Sequence, residues 1–239
     1  MSELTSASQI AALSAADMIP IREDGVPGLQ YTTPQQISDF VGGGGGGSSW
    51  DFVPPLAADF TTNSGDATQV TLTDDANIGL MIDNGTGVSS NIQRIATRPL
   101  ASSGAADFTS VAHLKITGSN VAGTMGLILY ESATNKLMIA GVLSLNSRYA
   151  WYGDLTNFSG GIFNYTDYIK DFWIQIRYVH ATATYAIDFS FDGKSWVQEA
   201  TFAATTAFTV RANRIGFGFQ NAGVTTKRSK ISVPYFSLT

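Results

Sequence analysis

Along residues 172–179 apolar and polar side chains alternate. Phe172, Ile174, Ile176 and Tyr178 fall on one face of an extended chain, and Trp173, Gln175, Arg177 and Val179 fall on the other. Successive side chains of a strand point to opposite faces, so the pattern predicts an antiparallel strand packed on one side and half wet on the other. The turn His180-Ala181-Thr182-Ala183 leads into a second run at 185–191, and Asp192-Gly193 supplies a hairpin signal before Lys194-Ser195-Trp196. A three-stranded meander is expected. Comparable runs bounded by turn residues recur at the spacing of sandwiches and barrels. They predict strands at 69–73, 78–82, 92–98, 108–117, 124–131, 136–143, 148–151, 172–180, 184–191, 196–202, 214–220 and 230–238. No helix-period segment of ten residues follows residue 50, which argues against an α/β nucleotide-binding fold.

The pattern before residue 42 is different. Ser6-Ala7-Ser8-Gln9 reads as a capping box opening a short helix that ends near Leu13, and Thr33-Pro34-Gln35-Gln36 opens a second that runs to Val41. Between them, 18–22 and 29–32 read as two short strands joined by a glycine-containing turn at 23–28. Residues 42–49 are six glycines and two serines, a flexible coil giving roughly 16 Å of play. The expected organisation is a segment at 1–41, a hinge at 42–49 and an all-β domain at 50–239. A chain of about 40 residues rarely buries enough apolar surface to be stable alone without metals, disulfides or association. This one has no cysteine and no histidine before His113, so it is expected to dock on copies of itself or on a larger assembly.

Composition narrows the chemistry. Hydrophobic residues make up 44% of the 239 and charged residues 14%, too few charges for a disordered polyelectrolyte. Net charge is -5 and the only basic cluster is Lys227-Arg228-Ser229-Lys230, so nucleic acid is not an expected partner. Zero cysteines exclude a disulfide scaffold, thiol nucleophiles and Cys-based zinc sites, and no cofactor is expected. No apolar run reaches the roughly 18 residues of a membrane helix, and the N-terminus lacks signal-peptide character. Synthesis in the cytoplasm without membrane insertion is expected.

Two stretches carry resemblances. Residues 172–179, the Ser190-Phe191-Asp192-Gly193-Lys194-Ser195-Trp196 run and the Arg214-Ile215-Gly216-Phe217-Gly218-Phe219 strand together resemble concanavalin A-like jelly rolls of the laminin-G and glycosidase-accessory type. That resemblance implies an antiparallel jelly-roll β-sandwich, preceded here by a small α+β segment. Residues 10–25 followed by 33–41 resemble the N-terminal segments of bacteriophage tail-fibre and virion appendage proteins. This second resemblance implies a virion location, assembly in the host bacterium, a homotrimer, and anchoring to other virion proteins through Ile10, Leu13, Ile19, Ile21, Ile37 and Phe40.

The densest chemical feature lies at 149–173, with nine aromatics in 25 residues against 27 in the whole chain. A pyranose offers an apolar face that stacks on rings and hydroxyls that need amide or carboxylate partners. Trp151, Tyr152, Asp154, Asn157, Phe158, Tyr165 and Tyr168 are therefore candidates for binding a host surface glycan from a loop. The alternative is that these rings fill the core or a subunit interface of a purely structural collar or decoration protein. Asp74, Asp75 and Asn77 with Asp83 and Asn84 carry oxygens that suit calcium, but serve equally as turn caps, and no metal site is assigned. Glycoside hydrolysis needs two carboxylates flanking the bond. Only Glu131 and Glu199 follow the hinge as glutamates, and the E-x-D-x-x-E strand of jelly-roll glucanases is missing, so no catalytic residue is assigned and a polysaccharide-degrading enzyme is the least favoured reading. His113 and His180 have no carboxylate at a triad spacing and read as ordinary strand residues.

Overall fold

The computed structural model describes residues 19–21, 30–32, 53–85, 92–118, 124–143, 146–167, 171–221 and 229–239. The chain divides into two units, Met1–Asp51 and Phe52–Thr239. In the first, β1 (Ile19–Ile21) and β2 (Gln30–Thr32) form the expected hairpin, with Ile19 opposite Thr32 and Ile21 opposite Gln30. The two capped helices, and Ile10, Leu13, Ile37 and Phe40, lie outside the described residues.

The second unit is a sandwich of two seven-stranded antiparallel sheets. Its strands are β3 (Thr61–Ser64), β4 (Thr71–Asp75), β5 (Gly79–Asp83), β6 (Ile92–Pro99), β7 (Phe108–Gly118), β8 (Met125–Glu131), β9 (Lys136–Leu143), β10 (Asn146–Tyr152), β11 (Phe158–Asp167), β12 (Asp171–Val179), β13 (Thr184–Ser190), β14 (Val197–Ala203), β15 (Arg214–Asn221) and β16 (Ser229–Leu238). One sheet has the order β11-β10-β9-β8-β15-β6-β3, and the other has β14-β13-β12-β7-β16-β5-β4. We call them the curled sheet and the back sheet. The predicted meander is β12-β13-β14. All-β architecture is confirmed: the described helical pieces of this unit are single turns.

Two strands escape the sequence pattern. β3 is Thr-Thr-Asn-Ser, a polar edge strand with no alternation to show. β11 contains Gly160-Gly161, which resembles a turn in sequence. A Cβ on Gly160 would come within 2.7 Å of the Trp151 indole, so the missing side chain makes room for a ring on the neighbouring strand.

Between the sheets lies a continuous core. The even residues of β12, Phe172, Ile174, Ile176 and Tyr178, meet Leu127, Leu129, Ile215, Phe217 and Phe219 of the facing sheet. Each fully buried side chain of this size contributes about 1.5–3 kcal/mol. Arg94 of β6 is buried in the same layer. Its Nε and Nη2 donate to Asp66 Oδ1 and Oδ2 at 3.3 and 2.9 Å, and its Nη1 donates to the Asn84 carbonyl at the end of β5. One guanidinium thereby ties the two sheets together.

The curled sheet also buries its outward face. Ile95, Ile128, Leu137, Ile139, Ala150, Tyr152 and Leu155 form a second cluster there. Beyond the end of β3, the Gln93 N–H donates to the Leu155 carbonyl at 2.9 Å and the Gly65 N–H donates to Gln93 at 3.0 Å. Leu155 belongs to the turn after β10, next to one edge of the sheet, whereas β3 forms the other. The sheet therefore curls until its two sides meet. Gly126 and Gly141 face each other across β8 and β9, and a Cβ on either would come within 2.1 and 2.0 Å of the opposite strand's carbonyl oxygen. Backbones this close exclude any larger residue at either position.

Candidate functional site

The aromatic-rich stretch expected as a loop is a hairpin of β10 and β11 at the edge of the curled sheet, with Tyr149 opposite Ile162 and Trp151 opposite Gly160. Alternation along β10 turns Tyr149 and Trp151 toward the sandwich interior and Ala150 and Tyr152 to the outward face. Tyr152, expected to meet a sugar, is 1% exposed. That assignment is corrected: an outward position on this sheet is not a wet one, because the curl and Leu155 cover it. Phe158 and Tyr165 lie on β11, with side chains outside the description, and Tyr168 is outside the described residues.

Asp154 and Asn157 shape the intervening turn. Asp154 Oδ1 accepts from the Thr156 amide at 2.7 Å, the Thr156 hydroxyl at 2.7 Å and the Asn157 amide at 2.9 Å, while Oδ2 accepts from Asn157 Nδ2 at 2.6 Å. The Thr156 hydroxyl and amide bonds foremost hold the Asp154 carboxyl below its ordinary range.

Trp151 is the described candidate that remains part exposed and aromatic. It ends a ladder of rings that starts deep in the core. Phe108 lies 5.6 Å from Tyr178, Tyr178 stacks on Tyr185 at 4.5 Å, Tyr185 on Phe202 at 5.5 Å, Phe202 on Tyr149 at 6.3 Å, and Tyr149 lies 6.5 Å from Trp151. Each such pair adds about 0.5–1.5 kcal/mol beyond area burial. Tyr149 on β10 and Phe202 on β14 join the two sheets, and Trp151 follows as the part-exposed end of the ladder. Burial, helped by the Glu199 carboxylate on β14, raises the Tyr149 phenol above its ordinary range.

Several of the described carboxylates are committed to the fold. Glu131 accepts from the Thr209, Val210 and Arg211 amides at 2.9, 2.8 and 3.2 Å and from the Thr134 hydroxyl. Burial alone would raise it, but those donors outweigh burial and hold it below the usual range. Asp188 pairs with Arg177 at 2.9 Å, and Asp192 Oδ1 caps its own hairpin through the Lys194 and Ser195 amides at 2.8 and 2.7 Å. The oxygens considered for calcium also cap turns: Asp74 accepts from the Ala57 amide, Asp75 from Asn77 and Ile78, and Asp83 from Gly85. Among the described residues no group of three or more His, Asp or Glu could hold a metal ion. No described helix is long and apolar enough to cross a membrane.

One cluster went unseen in the sequence. His113 has a carboxylate partner after all: its Nε2 donates to Asp171 at 2.5 Å. Register across β7 and β12 sets Trp173 opposite His113 and Asp171 opposite Lys115, residues far apart in sequence with no spacing to betray them.

No protein-family profile matches the chain, and no curated protein matches it in sequence. Solved structures are similar in fold. A functionally unknown protein from Saccharomyces cerevisiae aligns with a TM-score of 0.52 and 12% identity, over 77% of this chain and 98% of that one. An engineered GH43 glycoside hydrolase aligns at 0.49 and 17%, over 73% of this chain and 36% of its own. Lectin II from Ulex europaeus aligns at 0.47 and 9%, over 79% and 95%. The chain is an antiparallel β-sandwich. At these identities the likeness is one of fold alone.

Proposed function

We propose that this protein is a non-enzymatic glycan-binding sandwich carried on a bacteriophage virion, with the N-terminal segment as anchor and the flank around Trp151 turned to the host surface. The observation that carries the reading is the part-exposed Trp151 at the outer end of the ring ladder, with Tyr149 behind it. An indole fixed from behind offers a stacking face at little entropic cost. Among the described residues, the outward face of the curled sheet is filled by its own cluster. Asp66, Asp154, Asp188, Asp192 and Glu131 all hold turns or ion pairs, which supports binding over hydrolysis. The virion role rests on the resemblance of the N-terminal segment.

The test is binding of the full chain and its Trp151→Ala variant to arrayed bacterial surface polysaccharides, with sedimentation of both. Specific binding by a trimer that Trp151→Ala abolishes while leaving the trimer intact is the expected result. Binding that survives the substitution overturns the site. Loss of assembly instead favours the second reading, a structural collar or decoration protein. Reducing-end release from any arrayed polysaccharide overturns the non-enzymatic assignment.

A further inference from the structure

The outer face of the back sheet carries a ring and charge cluster that glycan binding leaves unused. His113 on β7 lies flat against the Trp173 indole on β12, with centroids 4.5 Å apart and planes 3° apart. Tyr235 on β16 approaches the same indole at 5.4 Å. β7 and β13 flank β12 on opposite sides, and from the β13 side Gly193 backs onto the ring. Its φ of +70° and the 2.9 Å that a Cβ would leave to the indole both demand glycine. Trp173 is thus gripped between an imidazole and a hairpin backbone. At the imidazole edge, Asp171 Oδ1 accepts from His113 while Lys115 Nζ lies 3.5 Å from Asp171 Oδ2.

We propose that His113 is the proton-sensitive pin of a clamp on this face, holding Trp173, the start of β12 and the 190–196 hairpin together while the imidazole is neutral and loosening them when it gains a proton. A proton arriving at His113 creates a cation on a ring whose side chain is 15% exposed. That cation must share one carboxylate with the Lys115 ammonium. Burial pushes the imidazole below its ordinary range, Asp171 opposes that shift, and Lys115 adds to it. The other groups facing the cluster are the Tyr235 phenol from β16 and, beyond the indole, Asp192 and Lys194 beside Gly193. Asp192 is occupied by its own turn.

The sign follows. The unfolded chain takes the proton near pH 6.5, before the folded chain does. Stability from the clamp is therefore present above that pH, is lost as pH falls toward the folded value, and changes no further below it.

The chain has two histidines, so the Hε1 signals of the full protein, assigned with His180→Gln, read His113 directly. The expected midpoint lies below 6.5; Asp171→Asn lowers it further and Lys115→Gln raises it. Trp173 emission, taken as the difference from Trp173→Phe, changes with the same midpoint. A midpoint at or above 6.5 overturns the clamp, as does one indifferent to both substitutions or a Trp173 signal that stays flat through the His113 titration. Lys115 is exposed, so its variant keeps the test decisive even where Asp171→Asn fails to fold.

Discussion

Replacing Arg94 by methionine removes the guanidinium that joins the sheets and leaves most of its apolar stem in place. Its side chain is fully buried, whereas that of Asp66 is 24% exposed. Breaking a buried ion pair from one side costs about 3–5 kcal/mol. Asp66 can turn to water when left alone, so the lower end applies, about 3 kcal/mol, including the donor lost to the buried Asn84 carbonyl. At about 2–4 °C per kcal/mol for a domain of this size, Arg94→Met melts about 6–12 °C below wild type. The urea midpoint falls with the m-value unchanged. Asp66→Asn leaves a buried cation without its counter-charge and is expected to cost at least as much. The assay is thermal and urea unfolding followed by circular dichroism at pH 7. An Arg94→Met protein melting within 2 °C of wild type refutes the reasoning, because it means the sheets do not depend on this tie.

Glu131 is held below its ordinary range, so its contribution is present above about pH 4.3, the unfolded value, and is lost as pH falls toward the folded one. Between pH 5 and 2 the stability of wild type should therefore fall more steeply than that of Glu131→Gln, measured by urea unfolding across pH. Gly141→Ala forces a Cβ against the Met125 carbonyl and should lower the melting temperature by about 6–12 °C, the equivalent of about 3 kcal/mol of overpacking. Gly153→Ala meets only the movable Ser159 hydroxyl at 3.1 Å and should shift it by under about 2 °C, a matched control. Tyr152→Ala should cost about 3 kcal/mol in urea unfolding and Trp151→Ala about 1–2, because the first ring is buried in the outward cluster and the second is part exposed.

Runs bounded by turn residues at regular spacing were enough to find β4 to β10 and β12 to β16, because the turns between strands carry Gly, Asn and Asp, and period-two alternation marked strands such as β12. Asp192-Gly193 is the clearest case, with Asp192 capping the hairpin it announces. The candidate site was less legible. Composition showed that rings crowd 149–173, but not which way each one faces. Tyr149 and Trp151 line the flank while Tyr152, one residue on, is sealed under Leu155. A strand sorts its side chains between two faces without saying which face is wet.

The sequence by itself determined the class of this protein: an all-β chain, with a distinct N-terminal segment behind a glycine run, and little material for metal or thiol chemistry. These follow from local periodicity and from residue types that are present or missing, which need no knowledge of distant contacts. Only the tertiary structure decided that the turn after β10 reaches β6 on the far side of the curled sheet, that Arg94 spans the two sheets, and that His113, Asp171 and Trp173 meet. Each depends on strand register and sheet curvature, quantities set by residues tens of positions apart. Pairing across β7 and β12 brings His113 beside Trp173, and the turn after β10, bonded through Leu155 to β6, covers Tyr152.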